Sequence, residues 1–379
     1  MISACVKPLM WLLVVLLITG CATLAAPQQQ SYSTDVAGLL SGRALLGREV
    51  AETELPDINL FAITPEMEAF AKNAVRRSNS YFEKAKDLHV ALLTAQEEGG
   101  HGIIYNAYIT EPPIKTFQQR YANCLSFTFL YVTLARSVGL NAKVNEVEIP
   151  PTWDLRNKKD MMFLRHVNVK VPLLDESVNV LRRDDVVIDL EMNRYKASYR
   201  QYVISDTLAM AQFYSNRAME YLDAGNFTDA FLSLRKSISL NDQQSYVWSN
   251  LGTVFGRKNL QREAELAYLH ALAINPDDLT VMNNLAFHYQ QVGNKEQSLK
   301  YSRLAQRHRE ANPYYKYNLA LSAYEQKEYQ HALELIQRAI EREKNEVRFY
   351  ELAADLYEKL NRPLKVVEMQ RKIKRITGD

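Results

Sequence analysis

The sequence is poor in cysteine, in residues that break regular structure, and in charge imbalance. Three cysteines in 379 residues exclude a small disulfide-stapled domain. Thirteen glycines and twelve prolines leave room for long elements and exclude collagen-like or low-complexity chain. The 46 basic and 44 acidic side chains leave a formal net charge of +2, which gives no case for a nucleic-acid partner. No Cys/His cluster has zinc spacing and no glycine-rich phosphate loop is present, so neither metal nor cofactor is expected. No carboxylate pair stands out at a recognisable site, which argues against a carbohydrate-active enzyme. At this length two or more domains are expected, and 47% hydrophobic residues can supply their cores.

The one sustained apolar run is N-terminal, from Leu9 to Ile18 behind Lys7. It is too short to span a bilayer and fits the core of a signal peptide over residues 1–20. Ile18-Thr19-Gly20-Cys21 resembles the lipobox of bacterial lipoproteins. That resemblance implies that Cys21 is lipidated and becomes the first mature residue. Ala22 after it implies export to the outer membrane, with the body of the protein facing the periplasm. Residues 21–36, with Pro27 and three consecutive glutamines, read as a lipidated flexible tether. Membrane contact is thus expected through a lipid anchor alone.

With Cys5 removed and Cys21 blocked, Cys124 is the only thiol left to react. Asn123 can cap a helix that places Cys124 in its first turn, where unpaired N–H groups and the helix dipole favour a thiolate. Leu125, Phe127, Phe129, Leu130, Val132 and Leu134 make this helix apolar nearly all round, as suits a domain centre, and Gly139 closes it. Upstream, Thr64-Pro65-Glu66 is a helix start, and a second helix is expected from about Ser80 to Gln96, stopped by Gly99-Gly100.

Downstream, alternation over 163–171 puts Arg165, Val167, Val169 and Val171 on one face of a strand and His166, Asn168 and Lys170 on the other. A further strand, Val186–Leu190, carries Asp189 among aliphatic residues, where a carboxylate needs a partner such as an imidazole N–H. Each residue alone also suits a bland place: a packed thiol, a surface histidine, a strand-end turn. Together they offer a nucleophile, a base and a base-orienting carboxylate in chain order.

The segment from about 100 to 195 resembles the transglutaminase-like cysteine peptidase superfamily. The resemblance rests on Gln119–Ser126, Leu134–Leu140, Val147–Trp153, His166–Val169 and Val187–Asp189. It implies an α+β, papain-like fold over residues 37–200 in which a central cysteine helix packs on an antiparallel sheet. It implies Cys124 as nucleophile, His166 as general base and acid, and Asp189 as the residue that orients the histidine. Asn123 departs from the glycine or aspartate common before the cysteine. The Cys124 backbone N–H is a candidate oxyanion donor, while Gln118, His89 and His101 read as structural or surface residues.

From about residue 211 to 379 the chain repeats every 34 residues. Small residues recur at Ala218, Gly252, Ala286, Ala320 and Ala354, and in a second register at Ala230, Ala264, Ser298, Ala332 and Val366. Large residues recur at Tyr221, Phe255, Tyr289 and Tyr357, with Ala323 the exception. The pattern resembles tetratricopeptide repeats, best in Trp248, Leu251, Gly252, Phe255, Ala264, Tyr268, Ala271 and Pro276. It implies an all-α solenoid of about five repeats that binds a protein or peptide. The Lys- and Arg-rich stretch 365–375 reads as the solvated face of a capping helix. The expectation for the whole is an envelope lipoprotein acting as a cysteine peptidase, amidase or acyltransferase on a protein held by the repeats. The alternative is an inactive scaffold that organises a periplasmic complex.

Overall fold

The computed structural model describes residues 32–148, 152–153, 161–162, 165–173, 185–190 and 199–378. The expected signal segment 1–20, Cys21, and the tether up to residue 31 lie outside the described residues. The N-terminal half contains helices α1 (Tyr32–Leu39), α2 (Arg43–Leu46), α3 (Pro65–Ala74), α4 (Tyr81–Leu93), α5 (Pro113–Gln119) and α6 (Cys124–Ser137). Its strands are β1 (Ile104–Tyr105), β2 (Tyr121–Ala122), β3 (Lys143–Glu148), β4 (Thr152–Trp153), β5 (Met161–Met162), β6 (Arg165–Pro172), β7 (Asp185–Ile188) and β8 (Gln201–Val203).

Local chemistry sets the helix ends. The Met67 N–H donates to the Thr64 hydroxyl at 3.2 Å, and Pro65 occupies the first helical position, where it has no bond to lose. Ser80 caps α4 through the Glu83 N–H at 3.1 Å. Gly139, at φ 81°, follows α6 in the left-handed conformation that a helix stop requires.

Helix α6 is the centre of this half. Its residues from Leu125 to Ala135 are all buried, on every side of the helix. Such burial is worth roughly 1.5–3 kcal/mol for each large apolar side chain. Four strands form an antiparallel sheet in the order β7–β6–β3–β8. Val144, Val169 and Ile188 pair as one rung across three strands and join the α6 core with Val167 and Val171. The valine face and the histidine face therefore separate as alternation requires.

The C-terminal half is entirely helical: α7 (Asp206–Asp223), α8 (Phe227–Leu240), α9 (Ser245–Arg257), α10 (Gln261–Ile274), α11 (Leu279–Gln291), α12 (Lys295–Ala311), α13 (Pro313–Glu325), α14 (Tyr329–Arg342), α15 (Val347–Lys359) and α16 (Pro363–Thr377). Successive helices pack as pairs, and those from α9 onward keep the 34-residue spacing. Gly252 on α9 lies against the Tyr268 ring of α10, where a Cβ would sit 2.7 Å from ring carbons. The repeat therefore needs glycine here for close approach, not for a turn. Helix α16 is mostly exposed, with Met369 its buried residue, as a solenoid end demands.

The two halves share cores instead of meeting at a linker. Helix α7 starts at Asp206, ahead of the expected 211, and its Ala209, Phe213 and Tyr214 belong to the α6 core. Phe213 packs edge-on to Phe129 at 5.9 Å, and the Ile58 N–H donates to the Tyr214 hydroxyl at 2.8 Å. Conversely, Leu39, Val50 and Leu55 are buried in the core of the first repeats. Helix α1 thus begins inside the stretch expected to be tether to residue 36, because Leu39 has an apolar surface to cover.

Candidate functional site

Cys124 is the first residue of α6 and is half-buried. Asn123 caps the helix: its side-chain oxygen accepts the Ser126 N–H at 2.8 Å, and its amide donates to the Thr110 hydroxyl at 2.7 Å. The Glu111 N–H donates to the Ser126 hydroxyl at 2.9 Å, tying the same loop to the first turn. Arg217 of α7 donates to the Thr110 carbonyl at 3.2 Å. A residue of the first repeat thus braces the loop that braces the cysteine. At this helix position the Cys124 N–H has no acceptor within the helix and points the dipole's positive end toward the sulfur.

His166 and Asp189 are brought together and buried, with exposures of 5% and 1%. The imidazole Nε2 lies 2.5 Å from Asp189 Oδ2, so Nε2 carries the proton and Nδ1 is the nitrogen left for other contacts. The Cys124 thiol is within hydrogen-bonding reach of this imidazole. Burial works against the charged ring, but the hydrogen bonds to Asp189 and Cys124 outweigh it and raise the His166 pKa to about 9. The ring is therefore an imidazolium at neutral pH, beside a sulfur.

Asp189 follows β7 by one residue instead of lying within the strand, and is held on several sides. Asn168 donates to its Oδ2 at 3.0 Å, and Asn145 donates to Asn168 at 2.8 Å and to Gln201 at 3.1 Å. The pairing register explains this row: Asn145 stands opposite Asn168, and the β6–β7 register carries the next step to Asp189. His89 of α4 donates from Nε2 to the Asp189 carbonyl at 3.1 Å. A carbonyl only accepts, so this nitrogen is protonated. Burial lowers the His89 pKa, against the opposing pull of Asp189, so the ring is neutral.

All three expected site residues converge. Sequence reasoning missed Asn168, Asn145 and Gln201, although Asn168 is two residues from His166 and shares its face. It also placed His89 outside the site, and only the packing of α4 against the β7 end brings it in. His101 is structural, stacked on Phe117 at 3.9 Å and bonded to the Phe117 carbonyl at 2.7 Å. Gln118 is exposed, as a solvated glutamine is.

Cys124 lines a cavity of about 1040 Å³. One wall is the sheet, with Val147 and Val167. The other is the repeat array, with Gln212 and Asn216 of α7, Asn250 of α9 and Tyr314 of α13. Gln212 donates to Glu146 at 2.7 Å across the two walls. The opening to the cysteine is thus shared between the halves.

Fold and site together define an α+β domain joined to a tetratricopeptide-type array of paired helices. No known family profile matches the chain, and no curated protein matches it. Among solved structures, the chain is similar to MamA (41-end) from Desulfovibrio magneticus RS-1, at 13% identity and TM-score 0.26, over 46% of this chain and 97% of that one. It is similar to YrrB, described as a TPR protein with an unusual peptide-binding site, at 18% identity and TM-score 0.25, over 45% and 87%. It is also similar to PilF of Pseudomonas aeruginosa, at 18% identity and TM-score 0.25, over 44% and 76%.

Proposed function

We propose that this protein is a transglutaminase-like cysteine enzyme that cleaves or transfers an acyl group on a polypeptide held by its repeats. The observation that carries the reading is that Cys124, in contact with the His166–Asp189 pair, opens into the same cavity as the inner faces of α7 and α9. In this reading the Cys124 proton already resides on His166, the thiolate attacks an amide carbonyl, and the Cys124 N–H stabilises the oxyanion. The imidazolium then gives its proton to the departing amine, leaving a thioester. Water resolves the thioester in a peptidase or amidase, and an amine resolves it in an acyltransferase. Lipidation at Cys21 would hold the enzyme at the outer membrane, facing the periplasm, and belongs to the same proposal.

A second reading is a scaffold whose repeats bind a partner without chemistry. It is favoured by the burial of His166 and Asp189, which suits a structural network as well as a catalytic one. Alkylation of Cys124 by iodoacetamide across pH, followed by mass spectrometry, separates the two. Rapid labelling below about pH 7 that is lost in His166→Ala and Asp189→Ala supports the enzyme. Labelling at the rate of an ordinary thiol, unchanged in both variants, sinks it and leaves the scaffold.

A further inference from the structure

The walls of the Cys124 cavity are chemically one-sided. The chain as a whole is close to neutral, at +2. Among the described residues, its cavity nevertheless collects Glu146, Glu148, Asp277, Asp278, Glu343 and Glu346, with Arg200 the one basic residue of that lining. These acids come from both halves, Glu146 and Glu148 from β3 and the rest from loops and caps of the repeats. A water-filled space between low-dielectric walls concentrates such a field, so the cavity attracts cations more strongly than the net charge suggests.

A second feature is independent of the carboxylates. Tyr199 and Tyr314 line the cavity, and their rings flank the Arg348 guanidinium at 5.3 and 5.6 Å. Glu346 holds the same guanidinium through two bonds of 2.8 Å. This wall thus already binds one guanidinium by ring faces and a carboxylate, a combination suited to cationic side chains. Between these anchors the lining includes small polar groups that recur in successive repeats, Ser215-Asn216 and Ser249-Asn250. Asn250 donates to Ser215 at 3.0 Å, which keeps the row in order. Such groups offer hydrogen bonds to a peptide main chain, beside apolar lining from Leu125, Val147, Val167 and Leu279.

We infer that the cavity takes an extended polypeptide segment bearing lysine or arginine side chains, and that its acidic and tyrosine-lined walls select for that charge. The inference rests on the proposed function for any chemistry after binding, but the selection itself needs no chemistry. It is therefore measured in the full-length Cys124→Ala protein. The probe is a short fluorescein-labelled peptide of Lys, Ser and Gln, compared by anisotropy with its counterpart carrying Glu in place of every Lys.

The lysine peptide is expected to bind and the glutamate peptide not to. Affinity should weaken about tenfold in Glu148→Gln/Asp277→Asn/Glu343→Gln. The control Glu97→Gln/Glu98→Gln/Glu296→Gln, whose exposed residues lie away from the cavity, should bind as the parent does. Equal binding of both peptides, binding of neither, or equal loss in the two triple variants overturns the inference. Cys124 alkylation in the wild type reports on the enzyme reading separately. A reactive thiol without charge preference defeats only the inference, and charge-selective binding beside an inert thiol defeats only the enzyme.

Discussion

His166 and Asp189 meet at 2.5 Å with both side chains buried, and the carboxylate also takes an amide bond from Asn168 at 3.0 Å. The pair is thus a fixed unit whose protonation is linked to folding. The folded protein binds the His166 proton with a pKa raised from 6.5 to about 9. A raised value means that the pair's contribution is complete below the unfolded value of 6.5 and is lost as pH climbs through about 9. The contribution amounts to at most about 3–4 kcal/mol. Urea midpoints measured on the two sides of this window should fall for the wild type. In Asp189→Asn they should be lower at the acid end and nearly flat, and a parallel fall in both proteins would refute the linkage.

The Cys124 cap should matter to reactivity as well as to stability. Asn123→Ala removes the bond to the Ser126 N–H and the support of Thr110. A loss of about 1–2 kcal/mol is expected in denaturant unfolding. Arg217→Met, distant in sequence, should slow Cys124 alkylation by a few-fold with little change in that of a denatured control. Unchanged alkylation in the folded variant would show that the brace from α7 does not reach the sulfur.

Asn168→Leu is expected to cost about 2–3 kcal/mol, because it strips Asp189 of a donor and leaves Asn145 facing an apolar group. Asn168→Asp, which places a second carboxylate against Asp189, should cost at least as much and should recover when the pH is lowered. Thermal unfolding at two pH values checks both, and an acid-insensitive Asn168→Asp would rule out the charge clash.

Two glycines one helical turn apart should respond with opposite signs. At Gly252 an added Cβ meets the Tyr268 ring at 2.7 Å, so Gly252→Ala should destabilise by about 1–3 kcal/mol. At Gly256 the nearest atom is the Ala264 Cβ at 3.9 Å, so Gly256→Ala should stabilise the helix by about 0.5–1 kcal/mol. Calorimetric melting of the two variants should move in opposite directions. A common shift would mean that the α9–α10 approach is looser than the structure has it.

Much of this was legible in the chain. The repeat helices follow from recurring small and large residues, because each pair must bury a stripe against its neighbour. Asn123, Gly139, Thr64 and Ser80 announce their caps, since capping is a matter of a few adjacent atoms. The His166 face follows from alternation. His89 and Gln201 were not legible as neighbours of the site, because nothing in their own surroundings marks them. Nor was the domain boundary: α7 reads as a repeat helix, yet its Phe213 and Tyr214 fill the core of the other half.

The sequence alone determined the local and periodic features: which segments are helices and strands, where they are capped, and that Cys124, His166 and Asp189 each stand on or beside a regular element. Those features depend on interactions a few residues apart or on repetition along the chain. Only the tertiary structure decided that the three residues meet, that Asn168 and His89 hold Asp189 in place, and that sheet and repeats share one acidic cavity. Those outcomes depend on how elements far apart in sequence pack, and packing is fixed by the shapes of whole cores, which no single segment encodes.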